Sequence, residues 1–187
     1  MNQHKLMIAG TNHRTASSWL ILGGARSGKS GYAEQLALQS EKPVCYIATA
    51  QALDEEMASR IQHHQQDRPS HWQTLEAPLA LAEALQQHST ENNCLLVDCL
   101  TMWVMNLLEL ENPLRMQQEF EEFLTVLPGL PGDIILVSNE VGMGIIPMGK
   151  LSRDFVDEAG RLHQKTAQAV NNVRLMVAGL PLTVKET

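Results

Sequence analysis

Short apolar runs alternate along the chain with stretches in which apolar residues recur at helical spacing. The runs are nearly continuous in apolar side chains, which is typical of strands that are buried on both faces of a parallel sheet. The predicted strands are residues 19–22, 44–48, 94–98, 134–137, 175–177 and 182–184. The alternation therefore predicts a largely parallel sheet that is flanked by helices.

The stretches between these strands carry the helical pattern. One predicted helix begins after Ser30, a second covers residues 54–65, and a third begins at Pro78. A helical region then extends through Leu107, another helix contains Phe120 and Leu127, and the last covers residues 153–170. Residues 1–18 are polar and rich in turn-forming side chains, so we expect a loosely held extension. Residues 19–187 are predicted to form one domain, since a chain of 187 residues with 44% hydrophobic content can bury one substantial core.

A glycine-rich motif connects the first predicted strand to the first predicted helix. The residues Gly23, Gly24, Ala25, Arg26, Ser27, Gly28, Lys29 and Ser30 match the phosphate-loop pattern G-x-x-x-x-G-K-[ST]. Glycines let backbone N–H groups close around phosphate oxygens, and the following helix presents its positive N-terminal end. We expect Lys29 to bridge the β- and γ-phosphates and the Ser30 hydroxyl to bind Mg²⁺. Because a strand precedes the motif and a helix follows it, we predict a nucleoside triphosphate site in a three-layer α/β domain of the P-loop NTPase type, rather than a glycine-rich turn without a ligand.

Charge and cysteine content narrow the class of partner and the compartment. The formal net charge is −7 and the sequence has no basic cluster, which argues against a nucleic-acid partner and favours a small-molecule substrate. The three cysteines lack the paired spacing of a zinc site, so they are predicted to be buried thiols in a reducing compartment. No apolar stretch approaches the roughly 20 residues that cross a bilayer. We expect a soluble cytoplasmic protein with no membrane span.

Residues at the ends of the predicted strands are further site candidates, because ligands of parallel sheets bind beyond the carboxyl ends of the strands. Asp98 ends a buried strand, where it could hold Mg²⁺ or could instead cap the helix that follows. Glu140 follows the strand predicted for residues 134–137, and its role is open between a functional carboxylate and a plain turn residue. Residues 48–50 are small, which suits either the approach of a nucleotide or packing against a helix.

Two adjacent histidines lie on the helix that is predicted for residues 54–65. Neighbouring side chains on a helix are about 100° apart, so His63 and His64 cannot face the same way. His64 lies in line with the apolar stripe and is predicted to pack, whereas His63 lies on the polar face near Arg60 and Arg68. An imidazole beside phosphate oxygens can act as an acid, a base or a nucleophile, and a solvated surface histidine is the alternative. Three other histidines have no comparable setting, namely His71, His88 and His163.

Six motifs, in order and at compatible spacing, resemble a known family. The matching positions are residues 23–30, residues 46–50, Glu56, Met57, Arg60, Ile61 and residues 63–69, His71, Trp72, Thr74 and Glu76, residues 98–101 with Trp103 and Asn106, and residues 139–145 with Pro147. Over about residues 19–187 the chain resembles the bifunctional adenosylcobinamide kinase / adenosylcobinamide-phosphate guanylyltransferase of cobalamin biosynthesis. Residues 1–18 have no counterpart in that pattern, so no function is assigned to them.

The resemblance implies two reactions on one scaffold. The hydroxyl of the aminopropanol arm of adenosylcobinamide takes a phosphoryl group from ATP or GTP, and GTP then transfers GMP to the new phosphate with release of pyrophosphate. In the family a histidine carries the GMP, and it corresponds here to His63. Lys29, Arg26 and Mg²⁺ would stabilise the departing pyrophosphate. The resemblance further implies a homotrimer and nucleotide contacts at Ala48, Thr49, Ala50, Asp67, Arg68 and Glu76.

Two other functions stay open at this point. A single-function small-molecule kinase would need the phosphate loop and Asp98 but would give His63 no covalent role. A non-catalytic nucleotide switch would use the triphosphate only to order loops, and the loop that contains Gly142 and Gly144 is compatible with it. No short motif identifies the corrinoid pocket, so the residues that bind adenosylcobinamide are not predicted.

Overall fold

The computed structural model describes residues 16–51 and 69–187. Within these ranges seven strands form one sheet in the order β3-β2-β4-β5-β1-β6-β7. The strands are β1 Ser18–Gly23, β2 Val44–Ala48, β3 Gln73–Glu76, β4 Cys94–Asp98, β5 Asp133–Asn139, β6 Asn172–Val177 and β7 Leu180–Lys185. Every neighbouring pair is parallel except β6 and β7. The largely parallel sheet that the apolar runs predict is therefore confirmed.

Helices cover both faces of this sheet. They are α1 Lys29–Gln39, α2 Leu81–His88, α3 Leu100–Glu109, α4 Pro113–Val126 and α5 Lys150–Ala169, and a single 3₁₀ turn, Leu127–Gly129, follows α4. On one face, Ile21 of β1 shares a core cluster with Ala33 and Ala37 of α1. On the other face, Leu20 shares a cluster with buried residues of α2 to α5. Successive residues of a strand point to opposite faces, so the near-continuous apolar runs follow from burial on both sides. The three-layer α/β domain is confirmed.

The core under α2 to α5 is built around Trp103, whose side chain is fully buried. Its ring packs against the rings of Phe120 and Phe123 of α4, with centroids 5.3 Å away in each case. The indole N–H donates a hydrogen bond of 2.7 Å to the carbonyl of Leu79. This bond leaves no polar atom of Trp103 unpaired, and it ties the connection between β3 and α2 to α3.

Two local predictions differ from the structure. The short strand β3 was not predicted, because most of its residues are polar and exposed. The helix predicted to open at Pro78 begins at Leu81 instead. The carbonyls of Pro78 and Leu79 accept hydrogen bonds from the side chains of Asn106 and Trp103, which belong to α3. A helix starting at Pro78 would need these same carbonyls for its own backbone hydrogen bonds. The helix predicted for residues 54–65 lies outside the described residues.

The first described residues are held to the sheet. The backbone N–H of Ser17 donates to Asp133 Oδ1 at 2.8 Å, and Lys42 Nζ lies 2.9 Å from Asp133 Oδ2. Burial raises the pKa of Asp133, but hydrogen bonds from Ser17 and Lys42 outweigh it and hold that pKa below its ordinary value. Residues 1–15 lie outside the described residues, and the division at residue 18 stays a prediction. In the described parts of the chain, no helix is both long and apolar enough to span a membrane.

Candidate active site

The phosphate-loop motif forms the turn between β1 and α1. Gly28 has φ 93°, in the left-handed region, and a Cβ there would lie 3.2 Å from the Cα of Gly179, whose N–H donates to the Ser27 carbonyl at 3.0 Å. A Cβ on Gly23 would lie 2.5 Å from Ser27 Oγ. Glycine is therefore required at both positions unless the loop shifts. A Cβ on Gly24 would meet no atom within 4 Å, so the mouth of the loop is open to a ligand.

Lys29 begins α1 and has only 7% of its surface exposed. Its Nζ donates a hydrogen bond of 2.7 Å to the carbonyl of Gly24. Burial lowers the pKa of Lys29, and the neighbouring Cys99 and Asp98 act in the opposite direction. An ammonium group buried beside a loop of N–H donors suits a polyanion, because phosphate oxygens would supply the counter-charge that burial demands.

Ser30 and Asp98 meet where the phosphate loop approaches the end of β4. Ser30 Oγ donates to Asp98 Oδ2 at 3.1 Å. Asp98 does not cap α3, because Cys99 occupies the N-cap position and makes no side-chain capping bond. A hydroxyl and a carboxylate are oxygen ligands that Mg²⁺ takes together with phosphate oxygens. The buried Ser27 Oγ of the same loop has no hydrogen-bond partner, which leaves it for a ligand oxygen. The donor set fits a nucleotide complex of Mg²⁺.

Beyond β2, Thr49 is fully buried and joined to the start of α3. Thr49 Oγ1 donates to the Cys99 carbonyl at 2.7 Å and accepts from the Cys99 N–H at 2.9 Å. The Thr49 carbonyl accepts from Asn106 Nδ2 at 2.8 Å, and the same amide donates to the Pro78 carbonyl at 2.9 Å. The hydrogen bonds from Thr49 and Asn106 hold the end of β2 against α3. The half-buried residues on either side of Thr49 are Ala48 and Ala50.

Glu76 ends β3 and is exposed at the same edge of the sheet. It is paired in register with Ala48. In the strand order β3 lies four positions from β1, which is about 19 Å at the usual strand spacing. Glu76 thus lies along the edge from the phosphate loop rather than beside it. His63, Asp67 and Arg68 lie outside the described residues, and their roles stay predictions.

At the end of β5 the structure adds Ser138 and His163, which the sequence analysis missed, to the candidate Glu140. Ser138 Oγ lies 2.7 Å from His163 Nε2, and His163 Nδ1 lies 3.8 Å from Glu140 Oε2. Glu140 Oε1 accepts from the Gly142 N–H at 2.6 Å. Burial lowers the pKa of His163, and Glu140 acts in the opposite direction, so the imidazole is neutral at neutral pH. His163 therefore has a defined polar setting that the sequence did not predict. The one signal was Ser138 itself, since a hydroxyl in a buried strand needs a partner.

A second chain of contacts joins β5 to α3. The backbone N–H and the side-chain amide of Asn139 both donate to Thr101 Oγ1, at 3.3 and 3.2 Å, and Thr101 Oγ1 lies 3.1 Å from Cys99 Sγ. Burial raises the pKa of Cys99 to about 11, with Asp98 adding to the effect. A neutral buried thiol is a poor nucleophile, so Cys99 is structural.

The arrangement can hold a triphosphate with its terminal phosphates over the sheet edge, beside one lysine and one carboxylate. No cluster of three or more histidine, cysteine, aspartate or glutamate side chains that could hold a metal occurs within residues 16–51 and 69–187. A cation at Ser30 and Asp98 would therefore take its other ligands from phosphate oxygens and water, as Mg²⁺ commonly does.

The family model and the related sequences agree with this chemistry. Residues 19–184 match the family model described as "Cobinamide kinase / cobinamide phosphate guanyltransferase". The chain is 57% identical over 166 residues to the bifunctional adenosylcobalamin biosynthesis protein CobP of Pseudomonas aeruginosa, covering 89% of this chain and 96% of that protein. It is 42% identical over 179 residues to the bifunctional adenosylcobalamin biosynthesis protein CobU of Escherichia coli, covering 89% and 98%. The crystal structure of the RadB recombinase is similar with a TM-score of 0.49 and 16% identity, covering 85% of this chain and 73% of that chain.

Proposed function

This chain belongs to the cobinamide kinase / cobinamide phosphate guanyltransferase family, and from that premise we propose that it carries out both reactions at the sheet edge. It first phosphorylates adenosylcobinamide at the aminopropanol hydroxyl, with ATP or GTP as the donor. It then transfers GMP from GTP to the adenosylcobinamide phosphate, which yields adenosylcobinamide-GDP and pyrophosphate. Both steps serve adenosylcobalamin biosynthesis, the process that the names of its relatives give.

In the kinase reaction the phosphate loop orients the donor. Lys29 exchanges its bond to the Gly24 carbonyl for phosphate oxygens, which supply the negative charge that a buried ammonium group lacks. Ser30 and Asp98 would hold Mg²⁺, which neutralises charge on the phosphates when bound. The buried position of Lys29 keeps water from competing for the same oxygens.

In the guanylyl transfer His63 carries the GMP. A neutral imidazole nitrogen attacks the α-phosphorus of GTP, and the bond to pyrophosphate breaks as the phosphoramidate bond forms. A phosphate oxygen of adenosylcobinamide phosphate then attacks the same phosphorus and releases the imidazole. The guanine nucleotide contacts residues 48–50, Asp67, Arg68 and Glu76, and the position of Glu76 along the edge supports a nucleotide that extends away from Lys29. We propose a homotrimer that works in the cytoplasm.

The observation that carries this proposal is the hydrogen bond between Ser30 and Asp98 beside the buried Lys29. It joins the phosphate loop to the end of β4, two strand positions from β1. A nucleotide switch needs this bond too, so the covalent step is the one that an experiment must address.

The test is incubation of the purified protein with Mg²⁺ and α-labelled GTP in the absence of corrinoid. We expect label on the protein that is lost in acid and stable in base, the behaviour of a phosphoramidate. The label should vanish in His63→Ala and persist in His88→Ala, a control histidine at the end of α2. GTP binding without any label would leave a single-function kinase or a nucleotide switch, and transfer of γ-phosphoryl to adenosylcobinamide would then separate those two.

A further inference from the structure

Glu140 is the acidic residue that follows the strand beside the phosphate-loop strand. β5 is the direct neighbour of β1, and Gly23 is paired in register with Asn139. The pairing continues one residue further, since the Glu140 N–H donates to the Gly23 carbonyl at 2.9 Å. The backbone of Glu140 is therefore fixed to the first residue of the phosphate loop.

The side chain of Glu140 emerges on the face opposite α1. Ile135 and Val137 of β5 share a core cluster with α1, whereas Ile134 and Leu136 belong to the cluster under α2 to α5. Glu140 has the parity of Ile134 and Leu136, and its contact with His163 of α5 agrees with that side. The attacking and leaving oxygens of a phosphoryl transfer lie roughly in line through the phosphorus. A donor held at the start of α1 leaves the α5 side, where Glu140 lies, open to the acceptor hydroxyl.

The Glu140 carboxylate is held but not covered. One oxygen accepts from the Gly142 N–H, the other lies 3.8 Å from His163 Nδ1, and the side chain remains 19% exposed. Because the His163 imidazole is neutral, we assign its Nδ1–H to the Glu140 side and the Ser138 hydroxyl as the donor to Nε2. Ser138 is hydrogen-bonded to His163, which faces Glu140 at a distance longer than a hydrogen bond, and Ser138 is fully buried and cannot reach a substrate.

The other described acids at this edge are already committed or too far away. Asp98 accepts the Ser30 hydrogen bond and belongs to the predicted Mg²⁺ site. Glu76 lies four strand positions from β1, about 19 Å at the usual spacing. Within residues 16–51 and 69–187, Glu140 is the carboxylate that lies next to the phosphate loop and makes no side-chain contact with it.

We propose that Glu140 is the general base of the kinase reaction and that His163 is its positioning residue; the proposal rests on the kinase half of the function above. The acceptor O–H bond breaks and its proton passes to a Glu140 oxygen, while the electron pair of the hydroxyl oxygen forms the new bond to the γ-phosphorus. The bond from that phosphorus to the bridging oxygen breaks, and ADP or GDP leaves with the electron pair. The guanylyl transfer needs no such base, because its acceptor is already a phosphate anion.

The test measures the two half-reactions separately in Glu140→Gln. Phosphoryl transfer from γ-labelled ATP to adenosylcobinamide should fall by about 10² to 10⁴ in kcat, the usual worth of a positioned base. GMP transfer from α-labelled GTP to pre-formed adenosylcobinamide phosphate should stay within about threefold of wild type. Glu122→Gln, on the exposed side of α4, is the matched control and should change neither rate.

Two results would overturn the assignment of Glu140. Equal losses in both half-reactions would make Glu140 a structural residue, and an unchanged kinase rate would remove it from the reaction. If the wild-type enzyme lacks the kinase activity, the proposed function itself has failed, which is a separate outcome visible before any variant is made.

The role of His163 is tested with two substitutions, His163→Asn and His163→Gln, each of which introduces a side-chain amide. The Asn side chain places its polar atoms near the Nδ1 position, facing Glu140, whereas Gln places them near Nε2, facing Ser138. His163→Asn should keep the kinase rate within about threefold of wild type, and His163→Gln should lower it about tenfold or more, with guanylyl transfer preserved in both. Losses that follow the melting temperature of each variant, and affect both half-reactions alike, would show that His163 only stabilises the fold. His88→Asn serves as the control.

Discussion

Removal of the Asn106 side chain tests how the β2 end of the site is held. Asn106 is 3% exposed, and its amide donates to the carbonyls of Thr49 and Pro78. In Asn106→Ala both carbonyls lose their donor, and each unpaired buried acceptor costs about 1–3 kcal/mol. Asn106 Oδ1 is itself buried without a partner, so its removal returns about 1 kcal/mol. We expect a net loss of about 1–5 kcal/mol in the free energy of unfolding.

The assay is urea unfolding at one fixed protein concentration, with a thermal melt alongside. For a chain of this size each kcal/mol corresponds to about 2–4 °C, so the melting temperature should fall by about 2–20 °C. Asn92→Ala, an exposed asparagine before β4, is the control and should change the stability by less than about 0.5 kcal/mol. A loss below about 1 kcal/mol for Asn106→Ala would refute the reasoning, because it would mean that the two carbonyls do not depend on this amide.

Three further predictions concern single residues. Gly28→Ala puts a side chain into the left-handed region and against the Gly179 backbone, so GTP affinity measured by calorimetry should fall about tenfold or more, and an unchanged affinity would contradict the role of the loop geometry. Burial holds the pKa of His163 below its ordinary value of 6.5. The stability that this residue contributes is therefore fully present above pH 6.5, and it is lost as the pH falls through the pKa of the folded state. Urea midpoints between about pH 8 and pH 5 should therefore fall more steeply for wild type than for His163→Gln, and parallel curves would contradict this. Burial raises the pKa of Cys94 to about 12 and that of Cys99 to about 11, so a thiol reagent at about pH 8 should modify neither before urea unfolds the chain, and rapid labelling of the native protein would refute their burial.

The buried strands were predictable because a strand covered on both faces is apolar at every position. β2 and β4 have the bounds that the apolar runs predict. β3 was not predicted because it is an edge strand. Its residues Gln73, Thr74 and Glu76 face solvent, so nothing requires them to be apolar. The start of α2 was misplaced because the acceptors of Pro78 are taken by a side chain 28 residues away, which no local pattern records.

Parts of the candidate site could likewise be predicted from the sequence, and other parts could not. The phosphate loop is local in sequence, so its glycines and Lys29 could be identified from their spacing. The approach of Asp98 to Ser30 followed from the rule that parallel strands end at one edge. The contact between Ser138 and His163 depends on where α5 crosses the sheet, and a helix of 20 residues can place any of several positions over a given strand. Only the folded structure selects His163.

The place of β1 in the middle of the sheet has a consequence for biosynthesis. Ser18 is made early, but its register partner Ile134 follows 116 residues later, which takes about 6–23 s at the usual rates of translation. During that interval the apolar residues of β1 have neither sheet neighbour and form a site at which chaperones can bind the nascent chain. The loop itself is completed later still, when Gly179 emerges and its N–H reaches the Ser27 carbonyl. A chain whose synthesis stops before the turn between β6 and β7 therefore lacks the Gly179 contact with the phosphate loop.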